Sequence, residues 1–325
     1  MSEALRIGIV GAGKIGKQHA KWYLMSGCQV VGFVGSTPES VARTGRELQE
    51  MLGVEVPGFT SVAQLVAQAH PAAVSVCSPH ALHCRHTLEA VEAGLHVLCE
   101  KPLVWDDAKS PEEMLRDARR MCEAAAARGV ILGMNAQYVA GIPAYQQWYE
   151  EVRGPLTRVE QFEGVMQSRG RGGGAEFEQI WVDLGSHPIS LILKWSPGVQ
   201  LDSESISCQI ARKEVIARFR CVSAVGNVCH CEIRLGNVPE GALQRRFGAN
   251  GFVLDVAGRN DAQGVYRAYL SDGKSERECP DFMHTNIAEF VRAVRCGGQP
   301  LVGPEDALRN LEWQLEILRR ATRVE

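Results

Sequence analysis

The sequence predicts an α/β protein in which an N-terminal doubly wound parallel sheet is followed by an α+β domain with a large, mostly antiparallel sheet. Three observations carry this reading. From residue 5 to 134, short apolar runs alternate with helix-length amphipathic segments, the pattern of parallel strands and crossover helices. Beyond Asn135 long stretches of period-two alternation take over, as in strands with one buried face. The chain has 325 residues, more than one hydrophobic core usually serves, so the two patterns are assigned to two domains, 1–134 and 135–325.

The first strand, Leu5 to Val10, runs directly into Gly11-Ala12-Gly13-Lys14-Ile15-Gly16, and residues 17–25 are compatible with a helix. Between a strand and a helix, Gly11 permits the tight turn, Gly13 lets the backbone approach a pyrophosphate, and Gly16 brings helix and strand together. The helix N-terminus then presents unpaired N–H groups to the phosphates. With Lys14 and Ile15 these glycines are the expected phosphate cradle of a dinucleotide-binding Rossmann domain. A strand at 30–34 and a helix at 38–52 follow. Ser61-Val62-Ala63-Gln64 has the form of a capping box, the glutamine reaching back to the cap, and starts a helix to about Gln68. Strands at 72–77, 95–99 and 130–134 alternate with helices at 85–93 and, from the capping box Ser110-Pro111-Glu112-Glu113, at 110–128. A helix at 142–152 leads into alternating runs near 157–166, 199–221, 226–235, 252–257 and 264–270. Amphipathic helices at 285–296 and 304–322 close the chain, and Arg169-Gly170-Arg171-Gly172-Gly173-Gly174 reads as a mobile loop.

A hydrophobic content of 45%, a charged content of 22% and a formal charge of −3 describe an ordinary globular chain without the basic footprint that nucleic acid or an acidic membrane surface requires. No apolar run reaches the ~20 residues of a membrane-spanning helix. The glycine turn comes too early to leave room for a signal peptide, so the expected compartment is the cytoplasm. Eleven cysteines fit that expectation as small buried hydrophobes: Cys208 shares a face with Ile206 and Ile210, Cys221 with Val215, Ala217 and Phe219, and Cys229 and Cys231 with Ile233 and Leu235. Cys77, His80, His83, Cys84 and His86 crowd metal-ligating groups into ten residues. Zinc sites draw on two separated ligand pairs, so loop and helix-cap roles are assigned and no metal is expected.

Glu100-Lys101-Pro102 at the end of the fifth strand, together with Asp183-Leu184-Gly185-Ser186-His187, resembles the glucose–fructose oxidoreductase, inositol dehydrogenase and MocA-like family. Ser78-Pro79 with His83 resembles its nicotinamide-side loop, and Gly154-Pro155-Leu156-Thr157-Arg158-Val159 the entry to its first C-terminal strand. The segments around Glu289-Phe290-Val291, Pro300, Asp306-Ala307 and Leu311 also fit, so the likeness covers nearly the whole chain. The resemblance implies hydride transfer between nicotinamide and a secondary alcohol or ketone of a sugar, polyol or sugar-derived metabolite. His187 would accept the hydroxyl proton, Asp183 would orient it, and Lys101 would polarise the substrate oxygen. Ser78, Pro79, His83 and Glu100 would line the cofactor. The open sheet of similar proteins commonly mediates dimer or tetramer formation, so a homodimer or homotetramer is implied.

Two positions depart from the family pattern: Ser190 stands where many relatives carry an acidic residue, and Gln137 where an arginine is frequent. Both bear on the substrate pocket. Arg169 and Arg171 could recruit a substrate anion, although a solvated loop is the favoured explanation. The second strand ends in Val34-Gly35-Ser36-Thr37-Pro38, without the carboxylate that holds a ribose 2′-OH. Ser36, Thr37 and Arg43 are available to a 2′-phosphate, so NADP is expected, with NAD possible. An imine or C=C reductase of the same fold and a non-catalytic NAD(P)-binding regulator remain the alternatives.

Overall fold

Strand β1 (Arg6–Val10) is almost wholly buried, as its near-continuous apolar sequence demands of a parallel strand covered by helices on both faces. It is followed by α1 (Lys14–Met25), β2 (Gln29–Val34), α2 (Pro38–Leu52), β3 (Gly58–Phe59), α3 (Val62–Ala69), β4 (Ala73–Val76), α4 (His83–Glu92), β5 (His96–Glu100), α5 (Pro111–Arg128) and β6 (Leu132–Asn135). The six strands form one parallel sheet in the order β3-β2-β1-β4-β5-β6. Strand order reverses between β1 and β4, the switch point at which open α/β sheets bind ligands beyond their carboxyl ends. This computed structural model describes residues 3–169 and 176–324.

The second part of the chain contains α6 (Ile142–Arg153), β7 (Gln161–Ser168), α7 (Glu178–Leu184), α8 (Ser186–Trp195), β8 (Gln200–Ile210), β9 (Glu214–Val222) and β10 (Val228–Asn237). It continues with β11 (Arg245–Ala249), β12 (Phe252–Asn260), β13 (Tyr266–Ser271), β14 (Glu276–Pro280), α9 (Phe282–Cys296), α10 (Pro304–Arg319) and β15 (Ala321–Arg323). Its nine-stranded sheet has the order β14-β13-β12-β11-β7-β10-β9-β8-β15. All neighbours are antiparallel except β7 with β10 and β8 with β15. Cys208, Cys221, Cys229 and Cys231 are buried on it, and no cysteine is in a disulfide. Burial pushes the Cys208 thiol up to about 12, so it behaves as an apolar group. Among the described residues, no helix is long and apolar enough to cross a membrane.

Two compact units emerge: Met1–Ala136 with Met283–Leu308, and Gln137–Phe282 with Arg309–Glu325. Residues 283–308, grouped by sequence with the second domain, therefore fold with the first. The apolar face of α9 explains this: Ile287, Phe290 and Val291 complete the core made by Ile7, Ile9, Trp22, Tyr23 and Phe33, and His284 stacks on Trp22 at 4.7 Å.

Other differences are local. Helix α1 starts at Lys14 rather than 17, so the last glycine of the turn already lies in its first turn. The run 199–221 is two strands joined by a turn, in which Ala211 N–H donates to Glu214 O. Helix α10 ends at Arg319, and the residues after it form β15 beside β8. Ser61 caps α3 through Gln64 N–H, but the Gln64 side chain accepts from Thr60 N–H and the Thr60 hydroxyl instead of closing a capping box on Ser61. The Ser110–Glu113 box is complete.

Candidate active site

The glycine turn has the shape that its sequence requires. Gly11 adopts φ +88°, and a Cβ there would lie 2.6 Å from Ser78 N. A Cβ at Gly16 would lie 2.4 Å from Gly11 O, so only glycine lets α1 approach β1 this closely. Around Gly13, by contrast, a Cβ would meet nothing within 4 Å. Gly13 is the N-cap of α1, with no side-chain cap bond and no acidic residue in the first turn. The helix thus begins with backbone N–H donors beside open space and no competing carboxylate, which fits a dinucleotide pyrophosphate. Lys14 and Ile15 form the first turn.

At the end of β2, Thr37 is the N-cap of α2. Its Oγ1 accepts from Ser40 N–H at 3.2 Å, and Ser40 Oγ accepts from Thr37 N–H at 3.0 Å, a reciprocal capping box with Pro38 at N1. The Thr37 side chain also interacts with the Glu39 carboxylate, which a backbone N–H and that hydroxyl hold below its ordinary value. Thr37 is therefore engaged in capping. Ser36 Oγ is 3.5 Å from Ser40 Oγ, and Arg43 is exposed on α2.

Ser78 and Pro79 follow β4. His83 is fully buried between two carbonyls, with Nδ1 2.9 Å from Pro102 O and Nε2 3.0 Å from Ser78 O. A neutral ring donates to one of them and an imidazolium to both. Burial pushes the His83 pKa down, and these carbonyls together with the Glu100 charge pull against it. His83 thus ties the loop after β4 to the segment after β5. The nearby ligating groups are engaged too: His86 Nδ1 meets Ser78 Oγ at 2.9 Å, and Cys84 lies against α5 with its thiol pushed up to about 11, chiefly by burial. Among the described residues, three ligating side chains gather only at Cys221, Cys229 and Cys231, all buried.

Lys101 follows β5, and its peptide with Pro102 is cis. The preceding Glu100 is buried. His19 Nε2 lies 2.8 Å from Glu100 Oε1, and Asn135 Nδ2 donates to the same oxygen at 2.5 Å. His19 Nδ1 lies 2.7 Å from Ser75 Oγ, which is 3.3 Å from Tyr23 OH. Burial would push the Glu100 carboxyl up, but the His19 hydrogen bond, the charges of His19 and Lys101 and the Asn135 bond outweigh it and hold it at about 2. Asn135 Oδ1 is buried without a hydrogen-bond partner among the described residues.

In the second unit Asp183 lies on α7 and His187 on α8, joined through Gly185, where a Cβ would come 2.8 Å from Trp181 O. His187 is buried, and the Tyr138 ring meets its imidazole edge-on at 5.0 Å. Tyr138 also packs edge-on against Phe282. Ser190 is buried and accepts from Asn310 Nδ2 at 2.8 Å; the same amide donates to Ser186 O, and Gln314 Nε2 donates to Asn310 Oδ1. Ser190 thus locks α8 to α10 and does not act as a substitute pocket acid. Gln137 opens a short 3-10 turn, Gln137–Gly141. The Arg169 guanidinium donates to the carbonyls of Val238 and Gly241. Arg171 and the rest of the glycine-rich segment lie outside the described residues.

Sequence reasoning missed His19, Ser75, Asn135 and Tyr138. The one available signal was a histidine three residues past Gly16, on the helix face that its apolar neighbours Ala20 and Tyr23 mark as buried.

The glycine turn after β1 and the six-stranded parallel sheet are the architecture of an oxidoreductase dependent on a nicotinamide dinucleotide. Residues 5–136 match the model of the oxidoreductase family with an NAD-binding Rossmann fold. The chain is 37% identical to 1,5-anhydro-D-fructose reductase of Ensifer adhaerens over 97% of its own length and 96% of that enzyme. It therefore belongs to the glucose–fructose oxidoreductase, inositol dehydrogenase and MocA-like family. D-glucoside 3-dehydrogenase of Escherichia coli is 34% identical over 49% of this chain, a match spanning 42% of that protein's length. In fold, UDP-N-acetylglucosamine 3-dehydrogenase from Acidithiobacillus ferrooxidans superposes with a TM-score of 0.73 at 19% identity, over 98% of both chains. A 3-ketoreductase from Actinomadura kijaniata in complex with NADP and TDP-benzene gives 0.72 at 18% identity, over 99% of both.

Proposed function

We propose that the protein transfers a hydride reversibly between NADP and a secondary alcohol, or the corresponding ketone, of a sugar, polyol or sugar-derived metabolite, with Lys101, Asp183 and His187 as its catalytic residues. The observation that carries the reading is the position of Lys101. It stands beyond the carboxyl end of β5, on the sheet edge where the open, uncapped glycine turn follows β1, and a buried histidine grips the residue on either side of it. The nicotinamide, when bound, supplies or accepts the hydride. Lys101 stabilises charge on the substrate oxygen with its ammonium group. His187 takes the hydroxyl proton on a ring nitrogen during oxidation and returns it during reduction, and Asp183 orients that ring and supports its charged form. Tyr138, edge-on to the imidazole, restricts its plane. The substrate class follows the relatives, whose names specify an anhydrofructose and a glucoside, and the family, which includes inositol dehydrogenases.

NADP is preferred because no carboxylate stands in Gly35-Ser36-Thr37, leaving Ser36 and Arg43 to meet a 2′-phosphate. The engaged Thr37 hydroxyl puts most of this role on Ser36. Ser36→Asp shifts the ratio of kcat/KM values toward NAD; an unchanged ratio contradicts the assignment. Assembly as a homodimer or homotetramer through the open sheet is part of the same reading.

The test uses NADPH with 1,5-anhydro-D-fructose, and NADP with myo-inositol or a methyl D-glucoside. Turnover is expected with at least one pair, and Lys101→Ala and His187→Ala lower kcat by roughly 10²–10⁴-fold. Full activity in either variant, or no turnover by the parent across the panel, contradicts the reading.

A further inference from the structure

We infer that His19 is a positioning residue for Lys101: with Ser75 and Asn135 it holds the Glu100 carboxylate in one orientation immediately before the lysine. The inference rests on the catalytic reading of Lys101 given above.

The argument starts from burial. His19, Ser75 and Tyr23 are 0% exposed, Asn135 2% and Glu100 7%, so the chain of polar groups runs through the core under α1. Burying so many polar atoms costs several kcal/mol unless each is paired, and apolar side chains fill such a space at least as stably. Packing of α1 on the sheet therefore does not call for an imidazole at position 19.

The hydrogen bonds form one continuous chain in which His19 carries a proton on Nε2. Tyr23 OH lies 3.3 Å from Ser75 Oγ, Ser75 Oγ lies 2.7 Å from His19 Nδ1 and 3.4 Å from Leu98 O, and His19 Nε2 donates to Glu100 Oε1 at 2.8 Å. Asn135 Nδ2 arrives at the same oxygen from β6, where Asn135 is the register partner of Glu100. Asn135 Nδ2 and His19 Nε2 are 3.0 Å apart because both converge on that one acceptor. Elements α1, β4, β5 and β6 thus all contribute to a chain that ends at Glu100. On the far side of Lys101, the Pro102 carbonyl meets the buried His83. The lysine is carried on three residues whose outer two cannot shift without breaking a buried hydrogen bond, and a displacement of about 1 Å at a reacting group can cost on the order of 10²-fold in rate.

The network also sets the charge of Glu100. Because burial favours the protonated carboxyl, removing the His19 donor raises its pKa. The depressed native value means that the negative form is present above about pH 2 and is lost as pH falls through that value. Without His19 the loss occurs at higher pH.

The test compares His19→Ala, His19→Gln, Ser75→Ala, Glu100→Gln and Lys101→Met in the full-length protein, using the substrate pair that the parent turns over. For His19→Ala we expect kcat to fall by about 10-fold or more, the titration of the Glu100 carboxyl to move up by on the order of one pH unit, and the NADP dissociation constant to stay within about 3-fold. His19→Gln, which keeps a donor to Glu100, restores most of the shift. In the Glu100→Gln background, adding His19→Ala changes nothing further. An infrared pH titration, with the Glu100 carboxyl band assigned by its loss in Glu100→Gln, gives the same shift without turnover. Should His19→Ala not fold, Ser75→Ala gives a smaller shift of the same sign. An inactive Lys101→Met beside a His19→Ala and a Ser75→Ala with parental kcat and parental Glu100 titration overturns the inference alone. A fully active Lys101→Met overturns the catalytic reading and the inference with it.

Discussion

The polar chain under α1 in the first unit and the β9–β10 pair in the second place their polar side chains in opposite ways. In the first, His19, Ser75, Glu100 and Asn135 are sealed inside and end beside a lysine at the sheet edge. In the second, β9 and β10 turn thiols and aliphatics inward, and put Arg218, Glu232 and Arg234 outward as a half-exposed ladder with 2.6 Å contacts. The difference shows where a polar contact matters: losing a partner is costly where water cannot replace it and nearly free where it can.

The contrast can be broken or sharpened by substitution, and the largest effect belongs to the core that α9 shares with the parallel sheet. Phe290 is fully buried there, so Phe290→Ala is expected to destabilise the first unit by about 3–5 kcal/mol in chemical denaturation. A loss below about 1 kcal/mol would mean that α9 does not complete that core. Asn310→Ala removes the amide that serves Ser186 O and Ser190 and leaves Gln314 without its acceptor, which should cost about 1–3 kcal/mol. Smallest of all is Glu232→Gln on the outward ladder, at below about 1 kcal/mol and smaller still in high salt. A cost equal to that of Asn310→Ala would erase the distinction between buried and exposed polar contacts.

Much of the fold was legible because it rests on local rules. The strand–glycine–helix opening, the Ser110 capping box and the period-two cysteine faces each follow from a few adjacent residues. Three features were not. Amphipathicity shows that α9 covers a sheet but not which one, and its assignment to the first unit depends on Ile287, Phe290 and Val291 meeting residues far away in the chain. Strand β15 is three residues, two of them exposed, whose only signature is the neighbour it pairs with. Thr37 reads equally as a phosphate ligand and as a helix cap, and the capping geometry is visible only once Ser40 reaches back. At the candidate site, lysine, aspartate and histidine stand out by type and motif. His19, by contrast, works through a carboxylate 81 positions later, a pairing that no local spacing encodes.

The proposed joint role of Lys101 and His187 in hydride transfer is tested most directly by a double-mutant cycle in kcat over Lys101→Ala and His187→Ala. Groups that act as a unit are grossly non-additive, so the double variant should be no more than about 10-fold slower than the slower single variant. A double variant whose loss equals the product of the two single losses would show that the residues act independently, and would contradict the account.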